Sequence, residues 1–169
     1  MNGRVLLLLD RDGTLMVDVG YPNDPAQVQL LPGAAEAIRE LVRVGFVPAV
    51  ISNQSGLARG WITPSQAERV HDRFVEMFEA ASGVHLRCYY CPHGPDAGCD
   101  CRKPKPALLI QAATDLGLLG APGLLIGDKL SDVEAGHAAG LDGLLFEGDW
   151  SATMNEIRRR FPAQFGEKA

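Results

Sequence analysis

A chain of 169 residues with 46% apolar and 22% charged residues is large enough to bury its own core and ordinary for a globular protein. Its formal net charge of −5 gives no basic footprint for nucleic acid or an acidic membrane surface, so neither partner is expected, and an anionic ligand must be met by a local lysine/arginine cluster. The five apolar residues after Arg4 are too few for a signal-peptide core or a membrane span, which makes the cytoplasm the expected location.

Val5-Leu6-Leu7-Leu8-Leu9 has the pattern of a strand buried on both faces of a parallel sheet. It runs into Asp10 and Asp12, whose i, i+2 spacing aims both carboxylates the same way while extended geometry persists. Gly13 then permits the turn away. Ligands of open α/β sheets gather at strand carboxyl ends, although two solvated turn aspartates explain the pair taken alone. Met16 to Pro32 is too long for an ordinary strand-to-helix loop, and such loops are often functional. Gly33 to Val44 reads as a helix with Ala34, Ile38, Leu41 and Val42 inward, stopped by Gly45.

Phe46 to Ile51 is the second strand. It ends in Ser52-Asn53-Gln54-Ser55-Gly56, where a hydroxyl and exposed backbone N–H groups can cradle phosphate oxygens; taken alone, the stretch reads more readily as a plain polar turn. Thr63-Pro64-Ser65-Gln66 combines a capping box with proline at the first helical position. The helix it opens carries Ala67, Val70, Phe74, Met77, Phe78 and Ala81 at core spacing. Val84 to Tyr90 is a third strand.

The four cysteines all fall between Cys88 and Cys101, and in a reducing compartment such clustering suggests a metal before disulfides. Cys91, His93, Cys99 and Cys101 supply a closed tetrahedral zinc set, structural because three thiolates leave no open position. A competing set pairs Cys88 with Cys91, but their odd separation points them oppositely along a strand, which leaves Cys88 as a buried core thiol. Arg102-Lys103-Pro104-Lys105-Pro106 is the required positive cluster, stiffened by its prolines and opening a helix, although charge runs are more commonly plain solvated surface. His71, His85 and His137 have no evident partners.

Pro106 to Leu116 reads as a helix and Gly123 to Ile126 as a strand delivering Asp128 and Lys129. Ser131-Asp132-Val133-Glu134 is a second capping box, with Asp132 in the first turn. A short strand at Gly143 to Phe146 and a helix from about Thr153 to Phe161 complete the alternation. This alternation predicts an α/β fold with a parallel sheet, and without repeat or linker it reads as a single domain over residues 1–169.

The ordered set Asp10-x-Asp12-Gly13-Thr14, Ser52-Asn53, Lys103-Pro104 and Gly127-Asp128-x-x-x-Asp132 resembles the haloacid dehalogenase superfamily of phosphatases. The resemblance spans Leu6 to Asp132 and implies a three-layer Rossmann-like fold. It makes Asp10 the nucleophile and Asp12 the general acid/base, with Ser52 and Lys103 holding the transferring phosphoryl group. It also places Mg²⁺ on Asp10, Asp128 and the main-chain carbonyl of Asp12. The zinc loop followed by Arg-Lys-Pro is similar to two groups without a large cap, the D-glycero-D-manno-heptose 1,7-bisphosphate 7-phosphatases and the histidinol-phosphate phosphatases.

Val17-Asp18-Val19-Gly20-Tyr21-Pro22 and Ser52 to Gly60 resemble the heptose group. By that resemblance Asp18, Val19, Gly20 and Tyr21 line the sugar, and Asn53, Gln54, Ser55, Arg102 and Lys129 contact substrate, Arg102 gripping the distant phosphate. The implied reaction is removal of the C7 phosphate by a monomer through an aspartyl-phosphate, giving heptose 1-phosphate for nucleotide-heptose synthesis. Histidinol phosphate or another small phosphate ester is the alternative substrate, and a non-catalytic zinc-stabilised module the alternative class.

Overall fold

A computed structural model of the chain describes residues 3–166. Five strands, β1 (Val5–Leu9), β2 (Phe46–Asn53), β3 (Arg87–Cys91), β4 (Gly123–Gly127) and β5 (Asp142–Leu145), form one parallel sheet in the order β3-β2-β1-β4-β5. Five helices alternate with them: α1 (Ala34–Arg43), α2 (Pro64–Ser82), α3 (Ala107–Asp115), α4 (Leu130–Ala138) and α5 (Trp150–Arg160).

The central strand shows why its sequence is a continuous apolar run. Val5, Leu7 and Leu9 enter one core with residues of α1, α2 and α5, while Leu6 and Leu8 enter a second core with residues of α3 and α4. Period-two alternation thus feeds two apolar layers, and no β1 residue is more than 2% exposed. Cys88 packs against the first core and Cys91 belongs to the second, the opposition expected from their odd separation. Cys88 is half-buried rather than buried.

Local expectations shift in several places, β2 running on to Asn53 and β5 covering Asp142–Leu145 among them. β3 starts at Arg87, not Val84, because Gly83 ends α2 at φ +72° and Ser82 Oγ accepts from the Val84 N–H at 3.0 Å, folding the chain over the helix end. Ser82, four residues beyond Phe78, takes the inward position expected of Ala81. Val42 is 36% exposed, while Ala35 and Ala37 join the buried face of α1. The N-cap of α4 is Lys129, so Ser131 lies inside the helix; Asp132 is its N3 residue and accepts from the Lys129 N–H at 3.1 Å. Asp149 caps α5, which therefore begins at Trp150 rather than Thr153.

Candidate active site

β1 pairs with both β2 and β4, Leu9 lying opposite Val50 on one side and Ile126 on the other. The residue after Leu9 therefore emerges between the ends of two neighbouring strands, where an open parallel sheet places its ligands. Asp10 occupies that point, fixed by its N–H donating to Ile126 O at 2.9 Å. Gly13 then turns the chain at φ +79°, and a Cβ there would overlap the Asp128 carboxylate. Glycine is required at that position by conformation and by space.

Lys103 reaches Asp10 across 93 positions of sequence. Its buried ammonium donates to Asp10 Oδ1 at 2.8 Å and to Ile51 O at 2.6 Å, and pairs with Asp132 Oδ1 at 2.7 Å. Burial opposes its charge, but the two carboxylates outweigh it and hold the lysine pKa above the ordinary value. The Asn53 side chain braces the Lys103 backbone, accepting from its N–H at 3.1 Å and donating to its carbonyl at 3.2 Å. Gln54 Nε2 lies 2.8 Å from both Asp12 Oδ2 and Ser52 Oγ. These two amides, expected against substrate, are thus engaged within the site itself.

Asp12 is buried and gripped by its neighbour. Arg11 Nε and Nη2 donate to its carboxylate at 3.1–3.3 Å, and the Arg11 guanidinium lies 5.4 Å from the centroid of the Tyr90 ring. Burial raises the Asp12 pKa and so does Asp10, with Arg11 pulling the other way; the net shift is upward. His71 Nδ1 lies 2.7 Å from the Tyr90 hydroxyl and His85 Nδ1 2.9 Å from Glu79 Oε2, so both histidines have partners. His85 precedes β3 rather than lying on a strand.

Lys103 and the carboxylates of Asp10, Asp12 and Asp132 meet in a polar cavity of about 420 Å³. Asp10, Asp12, Ser52 and Lys103 line it, as do Asp18, Gly20, Tyr21, Asn53, Gln54, Ser55, Arg102 and Lys129. Val19 does not; it is 43% exposed, flanked by the Asx turn in which Asp18 Oδ1 accepts from the Gly20 N–H at 2.8 Å. Arg102 lines the cavity while its Nη1 donates to His93 O at 3.2 Å. Sequence reasoning left four residues out of the site: Asp132, whose position in a helix first turn is explained without function, Arg11, which grips the adjacent Asp12 and meets the Tyr90 ring, and Ser131 and Arg59, which line the cavity.

Two donor sets fit metals. Asp10, Asp128 and Asp132 bring carboxylate oxygens within 4.8 Å of one another. Asp128 Oδ1 is buried without a hydrogen-bond partner, and burial together with Asp10 pushes the Asp128 carboxyl up to about 6. An all-oxygen set with an unsatisfied carboxylate suits a hard divalent cation. Cys91, His93, Cys99 and Cys101 form the other set, with Cys91 Sγ 3.1–3.7 Å from the other three donor atoms, His93 Nδ1 3.1 Å from Cys101 Sγ, and all four within 4.8 Å of one another. A tetrahedron with bonds of about 2.3 Å has edges of about 3.8 Å, so a small shift admits an ion. Burial, with Cys101 beside it, pushes the Cys91 thiol up to about 12, a protonated state that a central cation would reverse.

Comparison with known proteins places this geometry. A family model described as HAD-hydrolase-like matches residues 100–157. The D-glycero-beta-D-manno-heptose-1,7-bisphosphate 7-phosphatase of Escherichia coli (strain K12) is 40% identical over 141 residues, 79% of this chain and 73% of that protein. The protein of the same name from Pasteurella multocida (strain Pm70) is 38% identical over 140 residues, 79% of this chain and 76% of its own. The crystal structure of D,D-heptose 1,7-bisphosphate phosphatase from B. bronchiseptica, complexed with magnesium and phosphate, matches with a TM-score of 0.80 at 30% identity, over 92% of this chain and 99% of that one. With relatives this similar over most of both chains, the protein belongs to the D-glycero-beta-D-manno-heptose-1,7-bisphosphate 7-phosphatase family of HAD-like hydrolases.

Proposed function

We propose that the chain is a Mg²⁺-dependent phosphatase that removes the C7 phosphate of D-glycero-β-D-manno-heptose 1,7-bisphosphate and leaves heptose 1-phosphate. The observation that carries this reading is the buried Asp10–Lys103–Asp132 set at the floor of a polar cavity. Phosphate monoesters resist hydrolysis, so a catalyst must neutralise phosphoryl oxygens and hold an in-line nucleophile. Asp10 attacks phosphorus and forms an aspartyl-phosphate as the bond to the sugar oxygen breaks. Lys103 exchanges its bond to Asp10 for a phosphoryl oxygen, and Ser52 Oγ donates to another.

Asp12 gives its carboxyl proton to the departing alkoxide. Burial and the adjacent Asp10 favour the protonated form needed, while Arg11 fixes the carboxyl's orientation. Asp12 then takes a proton from the water that attacks the aspartyl-phosphate, releasing inorganic phosphate and restoring the Asp10 carboxylate and the protonated Asp12 carboxyl. Asp10, Asp128 and the Asp12 main-chain carbonyl would hold Mg²⁺, which supplies charge screening between carboxylate and phosphate dianion. Cys91, His93, Cys99 and Cys101 would hold a structural Zn²⁺, fixing the loop that leads into Arg102 and Lys103.

The C7 phosphate, on an exocyclic carbon, can reach the narrow floor; the C1 phosphate, on the ring, stays nearer the rim. A monomer is the state in this reading, and a reducing cytoplasm would keep the four thiols available to metal. Among the described residues no helix is long and apolar enough to cross a membrane. The test is phosphate release from a panel of sugar bisphosphates, both anomers included, with phosphorus NMR of the product. A retained anomeric phosphate is expected, and a free C1 position overturns the regiochemistry.

A further inference from the structure

Arg59 has features the proposed reaction leaves unused. It lies in the turn after β2, where its N–H donates to Ser55 O at 3.1 Å, and it lines the cavity that holds Asp10 and Lys103. Its guanidinium lies 4.8 Å from the centroid of the Trp61 ring, and Trp61 in turn meets Tyr21 edge-on at 4.6 Å. Among the described residues no carboxylate pairs with Arg59, although most other cations near the site are tied to acidic groups. Two large aromatics are left unusually open here, Trp61 at 54% and Tyr21 at 40% exposure.

Depth separates two zones of the cavity. Asp10, Ser52 and Lys103 are buried at the floor, whereas Arg59 is exposed at the rim. A reacting phosphoryl group belongs at the floor. A second phosphate on the same sugar must therefore lie toward the rim, where a cation without an anionic partner has most to gain from it. A guanidinium stacked on an indole is already oriented, so less rotamer freedom is lost when it binds an anion. Gly56 lets the two walls meet, since a Cβ there would lie 2.8 Å from Tyr21 Cδ1 and from Ile62 Cδ1. Arg102, the other rim arginine, is shared with the His93 carbonyl, and a phosphate dianion has oxygens enough for both.

We propose that Arg59 is a specificity-determining residue that binds the second, non-reacting phosphate of a sugar bisphosphate, with Trp61 as the positioning residue that stacks it and braces Tyr21. This rests on the bisphosphatase reading above and names the residue by which that site selects bisphosphates over monophosphates.

The test compares kcat/KM for heptose 1,7-bisphosphate and heptose 7-phosphate in wild type, Arg59→Ala, Arg59→Lys, Trp61→Ala and Trp61→Phe. Arg73→Ala, an exposed change on α2, controls for net charge. Arg59→Ala should lose about 10- to 100-fold on the bisphosphate, the range for a charged hydrogen bond, and less than about threefold on the monophosphate. Trp61→Ala should lose less in the same direction, Trp61→Phe should recover part of that loss, and Arg59→Lys should fall between Arg59→Ala and wild type. Arg73→Ala should leave both rates unchanged. Equal losses on both substrates, no loss on either, or a matching loss in Arg73→Ala would overturn the role of Arg59 while leaving the bisphosphatase reading intact. Wild-type enzyme that cleaves the monophosphate but not the bisphosphate would overturn that reading, and this inference with it.

Discussion

Replacing Lys103 by methionine keeps the length of the side chain and removes only its ammonium. Its side chain is 2% exposed, and the carboxylates it serves, Asp10 and Asp132, are 7% and 1% exposed. Removing one partner of a buried ion pair costs about 3–5 kcal/mol, chiefly because the other charge is left uncompensated. There is a ceiling, since a stranded carboxylate can escape by taking up a proton. From an ordinary pKa near 4 that costs about 1.4 kcal/mol per pH unit, or about 4 kcal/mol at pH 7 and about 1.5 kcal/mol at pH 5. The sign follows: the variant's carboxyl pKa is raised in the folded state, so its stability is lost as pH rises and regained as pH falls. Urea denaturation without Mg²⁺ should therefore show Lys103→Met about 3–4 kcal/mol below wild type at pH 7 and about 1–2 kcal/mol below it at pH 5, through the midpoint and not the slope. Mg²⁺ should restore part of the loss by supplying another cation to Asp10. A loss under about 1 kcal/mol at pH 7, or equal losses at both pH values, would refute the assignment of Lys103 as the counter-charge of this pair.

Asp10→Asn should abolish phosphate release without lowering the melting temperature by more than a few degrees; retention of about a tenth of the wild-type rate would exclude an aspartyl-phosphate. Protein purified without chelators should carry one zinc per chain by elemental analysis, and Cys99→Ser should lower both metal content and melting temperature; a zinc-free wild type would dismiss this centre. His71 is half-buried against the Tyr90 hydroxyl, and burial lowers its pKa below the ordinary 6.5, with Arg11 adding to the effect and Asp72 opposing it. A depressed histidine pKa contributes stability present above the unfolded value and lost as pH falls from about 6.5 through the folded pKa. His71→Gln should flatten that limb of the stability profile, and an NMR titration placing the wild-type ring above 6.5 would contradict it.

The central strand and the carboxylates at its end were legible because strand period and apolar content are properties of consecutive residues. Parity alone separated Cys88 from Cys91 onto opposite faces of the sheet, and the order of four short motifs carried the family. The start of β3 was hidden, because it depends on how Ser82 and Gly83 close the end of α2. Asp132 was hidden differently: a carboxylate in a helix first turn has a sufficient local explanation, and only folding brings Lys103 to it. Asn53 and Gln54 looked like free ligand groups along the chain, yet their partners are the Lys103 backbone, Asp12 and Ser52. Val19 sits between residues that line the cavity yet is exposed and not part of its lining, inside the turn that Asp18 closes on Gly20. What the sequence by itself determined was the set of elements, the residue types delivered to strand ends and the chemistry they permit, since these follow from local periodicity and spacing. The tertiary structure alone decided which charges neutralise one another and which, like Arg59, are left for a ligand, because electrostatic pairing depends on distance in space and not along the chain.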